Sequence, residues 1–194
     1  MTTPMLRGER VWLRMIEKAD LLSTDIDDRE LGHYAGFKWA WAPEMAEGWF
    51  RELQSEIGAG TTHQFTICRL GSRDGIGGCG LRHIDSANGN AEASIFVTSE
   101  ADWGTGIGTD AMNALLDFGF GELRLERIDL EVFDYNPRAI RSYEKAGYRT
   151  EVRRRRSRYH RGQFHDMIVM GILRDEWLAL ERPKSWELLA LEPG

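Results

Sequence analysis

The sequence predicts one mixed α/β domain, an antiparallel N-terminal meander feeding a parallel β–α–β crossover, with helices on its flanks. Three observations predict it. β-rich and amphipathic runs follow one another in the order β, helices, β, β, β, helix, β, helix, β, β. Turn-rich connections join the early strands, whereas a whole helix separates the run ending at Val97 from the run beginning at Arg127, the separation a parallel pair needs. Hydrophobic residues make up 42% and charged residues 29% of the 194, the balance of a folded chain rather than a disordered one.

Arg10–Ile16 (RVWLRMI) has the composition of a first strand. In Lys18–Gly36, Leu21, Leu22, Ile26, Leu31 and Tyr34 stand among acidic residues, which reads as one or two helices. Asp20, Asp25, Asp27, Asp28 and Glu30 there form either a solvated face or a rim that attracts an amine. Pro43, with Glu44 and Glu47 close by, starts a helix just after Ala42. Trp49 and Phe50 are expected to pack inward. Trp39 and Trp41 precede that helix in a loop, where such rings form a lid, wall a ligand pocket or pack onto the core.

Thr62–Leu70 and Gly77–Asp85 read as strands joined by the turn Gly71-Ser72-Arg73-Asp74-Gly75. Gly75, Gly77 and Gly80 spell G-x-G-x-x-G, but strand-like residues follow where a dinucleotide site needs a helix, so the match is rejected. Ala91–Val97 is a strand, Thr98–Thr105 a turn and Gly106–Phe120 an amphipathic helix. Arg127–Phe133 is the next strand. Pro137–Ala146 forms a short helix, with proline in its first turn and Gly147 as its C-cap. Tyr148–Arg155 and Phe164–Leu173 close the sheet around a basic turn, RRRRSRYHRGQ. Residues 1–177 thus make one domain. Residues 178–194 form a C-terminal tail, helical apart from a break at Pro183, apolar enough to pack on the domain or on a second subunit in a homodimer.

Composition excludes several classes. No apolar run approaches the roughly 18 residues of a membrane helix, and the N-terminus lacks a signal-peptide layout. The expectation is a cytoplasmic protein with no membrane partner. Cys68 and Cys79 are too few for a disulfide framework and read as reduced, buried thiols, although their strands are neighbours. The five histidines fall at no metal-ligand spacing, so no metal is assigned. A net charge of −6 disfavours nucleic acid and suits a cationic substrate. Arg153–Arg156, on a strand, would point to both faces, and a solvated hairpin explains them better than an RNA patch.

Chemistry concentrates at Gly104, Gly106 and Gly108, where strand gives way to helix. The first turn of a helix has unpaired N–H groups and partial positive charge. Glycines there let an anion such as a pyrophosphate approach the backbone. Trp103-Gly104-Thr105-Gly106-Ile107-Gly108 resembles the Q/R-x-x-G-x-G/A signature of the GNAT acetyltransferase superfamily. Asn136-Pro137-Arg138-Ala139-Ile140-Arg141-Ser142-Tyr143-Glu144-Lys145-Ala146-Gly147-Tyr148 resembles its second signature, N-x-R-A-I-x-x-Y-E-K-x-G-F/Y. Gly108-Thr109-Asp110-Ala111 and the spacing Gly162…His165-Asp166…Met170…Trp177 are similar to the RimJ/RimL-like branch, which acetylates ribosomal-protein N-termini. Trp103 departs from the pattern, since Gln or Arg is commoner there.

The resemblance implies a GNAT-type sheet and acetyl transfer from acetyl-CoA to a primary amine, by direct attack in a ternary complex. That amine would be a protein N-terminus or a small amine such as a polyamine, aminoglycoside or amino-acid conjugate. The resemblance places the pantetheine arm beside Ile95, Phe96 and Val97. The pyrophosphate would lie on the N–H groups of Thr105, Gly106, Ile107, Gly108 and Thr109, with Asn136, Arg138 and Ala139 nearby. It makes Glu92 the general base, with an anchor for the amine or a structural ion pair as the other roles open to it. Tyr143 is the proton donor to the departing thiolate or, alternatively, an aromatic packed on the sheet. Ser94 shares a strand face with Glu92 and is expected, with Trp39 and Trp41, at the acceptor. The competing class is an inactive acetyl-CoA sensor of the same fold.

Overall fold

A computed structural model describes residues 6–23 and 43–190. Its eight strands are β1 (Leu6–Arg7), β2 (Val11–Met15), β3 (His63–Arg69), β4 (Gly75–Asp85), β5 (Asn90–Val97), β6 (Arg127–Phe133), β7 (Arg149–His160) and β8 (Gln163–Leu173). They form one sheet in the order β1-β2-β3-β4-β5-β6-β8-β7, antiparallel throughout except for the parallel pair β5–β6. The helices are α1 (Lys18–Ser23), α2 (Pro43–Gly58), α3 (Ile107–Asp117), α4 (Pro137–Lys145), α5 (Arg174–Leu178) and α6 (Ser185–Leu189). The expected meander and crossover are both present.

α3 is the crossover. Its Ile107, Ala111, Met112, Leu115 and Leu116 repeat at helical spacing and are buried. They join Leu13, Phe65, Ile67, Leu81, Ile128 and Met170 from the sheet in one core. Fully burying each such side chain contributes roughly 1.5–3 kcal/mol. The buried carboxylate of Asp110, in the first turn of α3, accepts N–H bonds from Glu9, Arg10 and Val11 at 2.9, 2.8 and 3.0 Å. The start of β2 is thereby pinned beside the glycine turn. The helix closes in a π turn, Phe118–Glu122, rather than running as regular α-helix to Phe120.

At the far end of α3, Asp117 is 2% exposed. It accepts from the Trp177 indole, the Arg182 guanidinium and the Ser185 amide. The Ser185 hydroxyl accepts from the Arg7 amide at 2.7 Å, so α6 covers the β1 edge of the sheet. Residues 178–190 lie against the domain through these bonds.

Several expectations need correcting. The basic segment after Arg153 is strand as far as His160; the turn is Arg161-Gly162, both with positive φ. β7 is an edge strand with nearly every residue exposed, so its sequence carries no burial alternation. Arg153 and Arg154 are paired, with Asp166 and Asp134 and with Glu131 respectively. Trp49 is 36% exposed rather than packed inward. Asp20 is no rim: it binds Arg14, Thr66 and the Glu17 amide. Its carboxyl lies below the usual range, because the bonds from Arg14, Glu17 and Thr66 outweigh the desolvation that acts the other way. Both cysteines are buried and free, Cys68 facing Gly75 and Cys79 facing Phe65 across the β3–β4 ladder. Trp39, Trp41 and the acidic residues from Asp25 to Glu30 lie outside the described residues.

Candidate active site

The site begins where two neighbouring strands part. β5 and β6 pair only at Asn90–Arg127, Ala91–Ile128 and Glu92–Asp129. Beyond Glu92, β5 stays with β4 as far as Val97, while β6 stays with β8 as far as Phe133. A cleft opens between them, lined by Ala93–Val97 on one side and Glu131–Phe133 on the other. The Thr98 amide donates to the Ile76 carbonyl at 2.9 Å, which sets the phase of the β4–β5 ladder. In that phase the backbone groups of Glu92, Ser94 and Phe96 point to β4, and those of Ala93, Ile95 and Val97 point into the cleft. An extended arm carrying amides and a thioester can pair there as an added strand.

The turn after β5 supplies an anion cradle. Gly104 and Gly106 hold φ of +78° and +94°, conformations that strain any residue with a Cβ. A Cβ on Gly104 would meet nothing within 4 Å; on Gly106 it would find only Arg10 Nε at 3.9 Å. The space those side chains would fill is left for a ligand. Gly106 caps α3, whose first N–H groups have no partner within the helix. Thr105 is exposed and does not line the cavity, its hydroxyl donating to the Asp102 carbonyl at 2.6 Å, so the cradle runs from Gly106 to Thr109. Ile107 presents its side chain to the core.

α4 lies alongside, held by a 2.8 Å bond between the Thr109 and Ser142 hydroxyls. Asn136 caps it by accepting from the Ala139 amide at 3.1 Å. The Arg138 guanidinium sits 3.8 Å from the centre of the Trp103 ring, and the Trp103 indole donates to the Val97 carbonyl at 2.9 Å. The departure at Trp103 thus has a structural use: it ties the end of β5 to the cradle and orients Arg138. Arg141 and Lys145, exposed on the cavity-lining face of α4, form no ion pair among the described residues. Tyr143 lines the cavity but is otherwise enclosed, and burial pushes its phenol up to about 12, so it keeps its proton at neutral pH.

These features line one cavity of about 910 Å³. At the other end α2 contributes Trp49, Glu52 and Glu56, spaced to share a helix face. Thr62, just before β3, and Gln64 on it follow, and β4 adds Arg82 and His83. Glu92 stands between the two ends, its side chain 28% exposed, bound by Arg82 at 2.5 Å and by His83 at 3.1 Å. It is not enclosed in apolar surroundings, because the buried alanines of β5 occupy the opposite strand face.

Glu92, Tyr143, Ile95, Phe96, Val97, Trp103, Gly104, Gly106, Gly108, Thr109, Asn136, Arg138, Ala139 and Ser94 therefore all meet at this cavity; Thr105 and Ile107 do not. Glu52, Glu56, Arg82 and His83 escaped the sequence reading. The only signal for the first two was their i, i+3 and i+7 spacing with Trp49. Among the described residues there is no group of three metal-ligating side chains, and no helix is long and apolar enough to cross a membrane.

Residues 10–149 match the family described as the acetyltransferase (GNAT) domain. The chain is 27% identical to the uncharacterized N-acetyltransferase p20 of Bacillus licheniformis, over 89% of this chain and 97% of that one. It is 28% identical to the spermidine N(1)-acetyltransferase of Escherichia coli K12, over 95% and 97%. In fold it resembles the spermidine N-acetyltransferase of Vibrio cholerae, solved in complex with CoA and spermine. The TM-score is 0.78, with 24% identity over 87% of this chain and 98% of that one.

Proposed function

The chain belongs to the GNAT acetyltransferase family and is an acetyl-CoA-dependent N-acetyltransferase; we propose that its acceptor is a primary amine of a small linear polyamine. One observation carries this choice: Glu52 and Glu56 line the end of the cavity away from the glycine cradle, with Glu92 between the two ends. A second cationic nitrogen on the acceptor finds a carboxylate there, and the indole of Trp49 offers it a cation–π face. The spermidine acetyltransferases among the relatives support the same reading.

In this reading the pyrophosphate rests on Gly106–Thr109, with Arg138, Arg141 and Lys145 adding charge along α4. The N–H groups of Ile95 and Val97 face the thioester and stabilise the oxyanion that forms on attack. The amine loses its proton beside Glu92, attacks the carbonyl carbon, and the C–S bond breaks. Tyr143, kept neutral by burial, protonates the departing thiolate.

A protein N-terminus is the acceptor of the ribosomal branch. Of the residues similar to that branch, Gly162 and Asp166 shape the β7–β8 hairpin, with Asp166 accepting from Arg153 and the Arg156 amide. Neither lines the cavity, so neither bears on the acceptor. A cytoplasmic location, a homodimer and the absence of nucleic-acid or membrane partners belong to the same proposal. Exposed Tyr159 and Phe164, packed edge to face on the hairpin, offer a surface for a second copy. Thiol release from acetyl-CoA across an amine panel, with mass analysis of the product, tests the reading. Acetylated polyamine supports it; acetylation confined to peptide N-termini refutes it.

A further inference from the structure

β4 falls out of step with β5 near its end. The register shifts between Arg82 and Asp85, and His83 takes a left-handed backbone, φ +51°. Such a conformation is uncommon at a non-glycine residue. A bulge breaks the strict alternation of side chains along a strand. Arg82 and His83, which a regular strand would send to opposite faces, both reach Glu92. Arg82 holds Oε1 through Nη2 at 2.5 Å and Nε at 3.2 Å, while His83 Nδ1 lies 3.1 Å from Oε2. Both oxygens of the carboxylate are therefore engaged at the point where β5 and β6 part.

We infer that His83 accepts the acceptor's proton, with Glu92 as the positioning residue that orients the imidazole and Arg82 as the group that holds Glu92. The inference deepens the acetyl-transfer reading of this site and rests on it. With Nδ1–H directed at Glu92, Nε2 is the basic atom left on a ring that lines the cavity. The ammonium gives one proton to Nε2, and the freed lone pair forms the C–N bond at the thioester carbonyl. The C–S bond then breaks with its electron pair on sulfur. Tyr143 protonates that sulfur, and the second proton shed by nitrogen restores the phenol. The proton on His83 passes to water, since its side chain is 75% exposed. Glu92 from β5 contacts the imidazole; Arg82 from its own strand and Glu52 and Glu56 from α2 line the same cavity, and Asp85 lies two residues along the strand. Asp129, across the parting from Glu92, is tied to Arg127.

The test is the pH dependence of kcat at saturating spermidine and acetyl-CoA, for wild type, His83→Asn and Glu92→Gln. Asparagine tolerates the left-handed backbone, and His83→Gln serves as a second variant. Calorimetric titration with acetyl-CoA checks that the cofactor end is intact. The expected result is a fall in kcat of about 100-fold in His83→Asn, loss of the acid limb of the profile, partial rescue by added imidazole, and an unchanged acetyl-CoA Kd. Glu92→Gln is expected to be slower but to keep an acid limb. Wild-type rates and an unchanged limb in both His83 variants would overturn the inference, as would a limb that vanishes only in Glu92→Gln. If wild type binds acetyl-CoA yet releases no thiol with any amine, the acetyl-transfer reading itself falls and takes the inference with it.

Discussion

The two ends of the cavity are made of different materials. At the end we propose for acetyl-CoA, the wall is largely backbone: the groups of Ile95 and Val97 that face the cleft, the glycines at 104 and 106, and the opening turn of α3. At the acceptor end it is side chain: Trp49, Glu52 and Glu56 from α2, Gln64 from β3, Arg82 and His83 from β4. A backbone site is set by the path of the chain and accepts one constant ligand. A side-chain site can be changed residue by residue while the path stays the same. The comparison predicts that the ends fail separately.

The largest effect is expected at the cradle. Gly106→Val puts a β-branched residue at φ +94° and a side chain into the phosphate space. Acetyl-CoA Kd should rise about 100-fold, equivalent to ~2.7 kcal/mol, as read by calorimetry beside a thermal melt that verifies folding. Next comes the chemistry between the ends. Tyr143→Phe should lower kcat by roughly 10- to 100-fold, leaving acetyl-CoA affinity and the KM of the amine within twofold. Burial raises this phenol to about 12 in the folded protein, so its contribution to stability is complete below the unfolded value near 10 and is lost as pH climbs through 12. Urea midpoints taken at pH 9, 10 and 11 should therefore fall less steeply in the phenylalanine variant.

The acceptor end comes third. Glu52→Gln combined with Glu56→Gln should raise the KM for spermidine about tenfold, an effect that shrinks in high salt, with acetyl-CoA Kd unchanged. An equal loss of acetyl-CoA binding would break the division between the ends. The smallest effect falls on α4: Arg141→Gln with Lys145→Gln should weaken acetyl-CoA binding only about two- to fivefold, because both side chains are exposed.

The same division explains what could be read from the sequence. The cradle and the α4 cap were legible because they are contiguous and spaced: glycines two apart, an asparagine before a proline, a tyrosine on the buried face. The order of strands was legible from period and turn chemistry. The acceptor end was not, since its residues come from three elements joined only by folding. His83 was hidden for a sharper reason. Alternation places it opposite Arg82, and only the bulge undoes that. The strand from Tyr148 to Arg155 was legible, but its continuation to His160 was read as turn, because an exposed edge strand has no buried face to impose a pattern. Trp103 read as a departure from a motif, although its bond to Val97 and its stack with Arg138 give it a place in the site.

We propose that one cavity joins a backbone-built acetyl-CoA end to a carboxylate-lined end that holds a second positive charge. The most direct measurement is kcat/KM for spermidine against butylamine, in wild type and in the Glu52→Gln/Glu56→Gln variant. The expected result is a preference for spermidine of about tenfold or more in wild type, ~1.4 kcal/mol, which collapses toward unity in the variant. Equal rates for the two amines in wild type, or a preference that survives loss of both carboxylates, would contradict it.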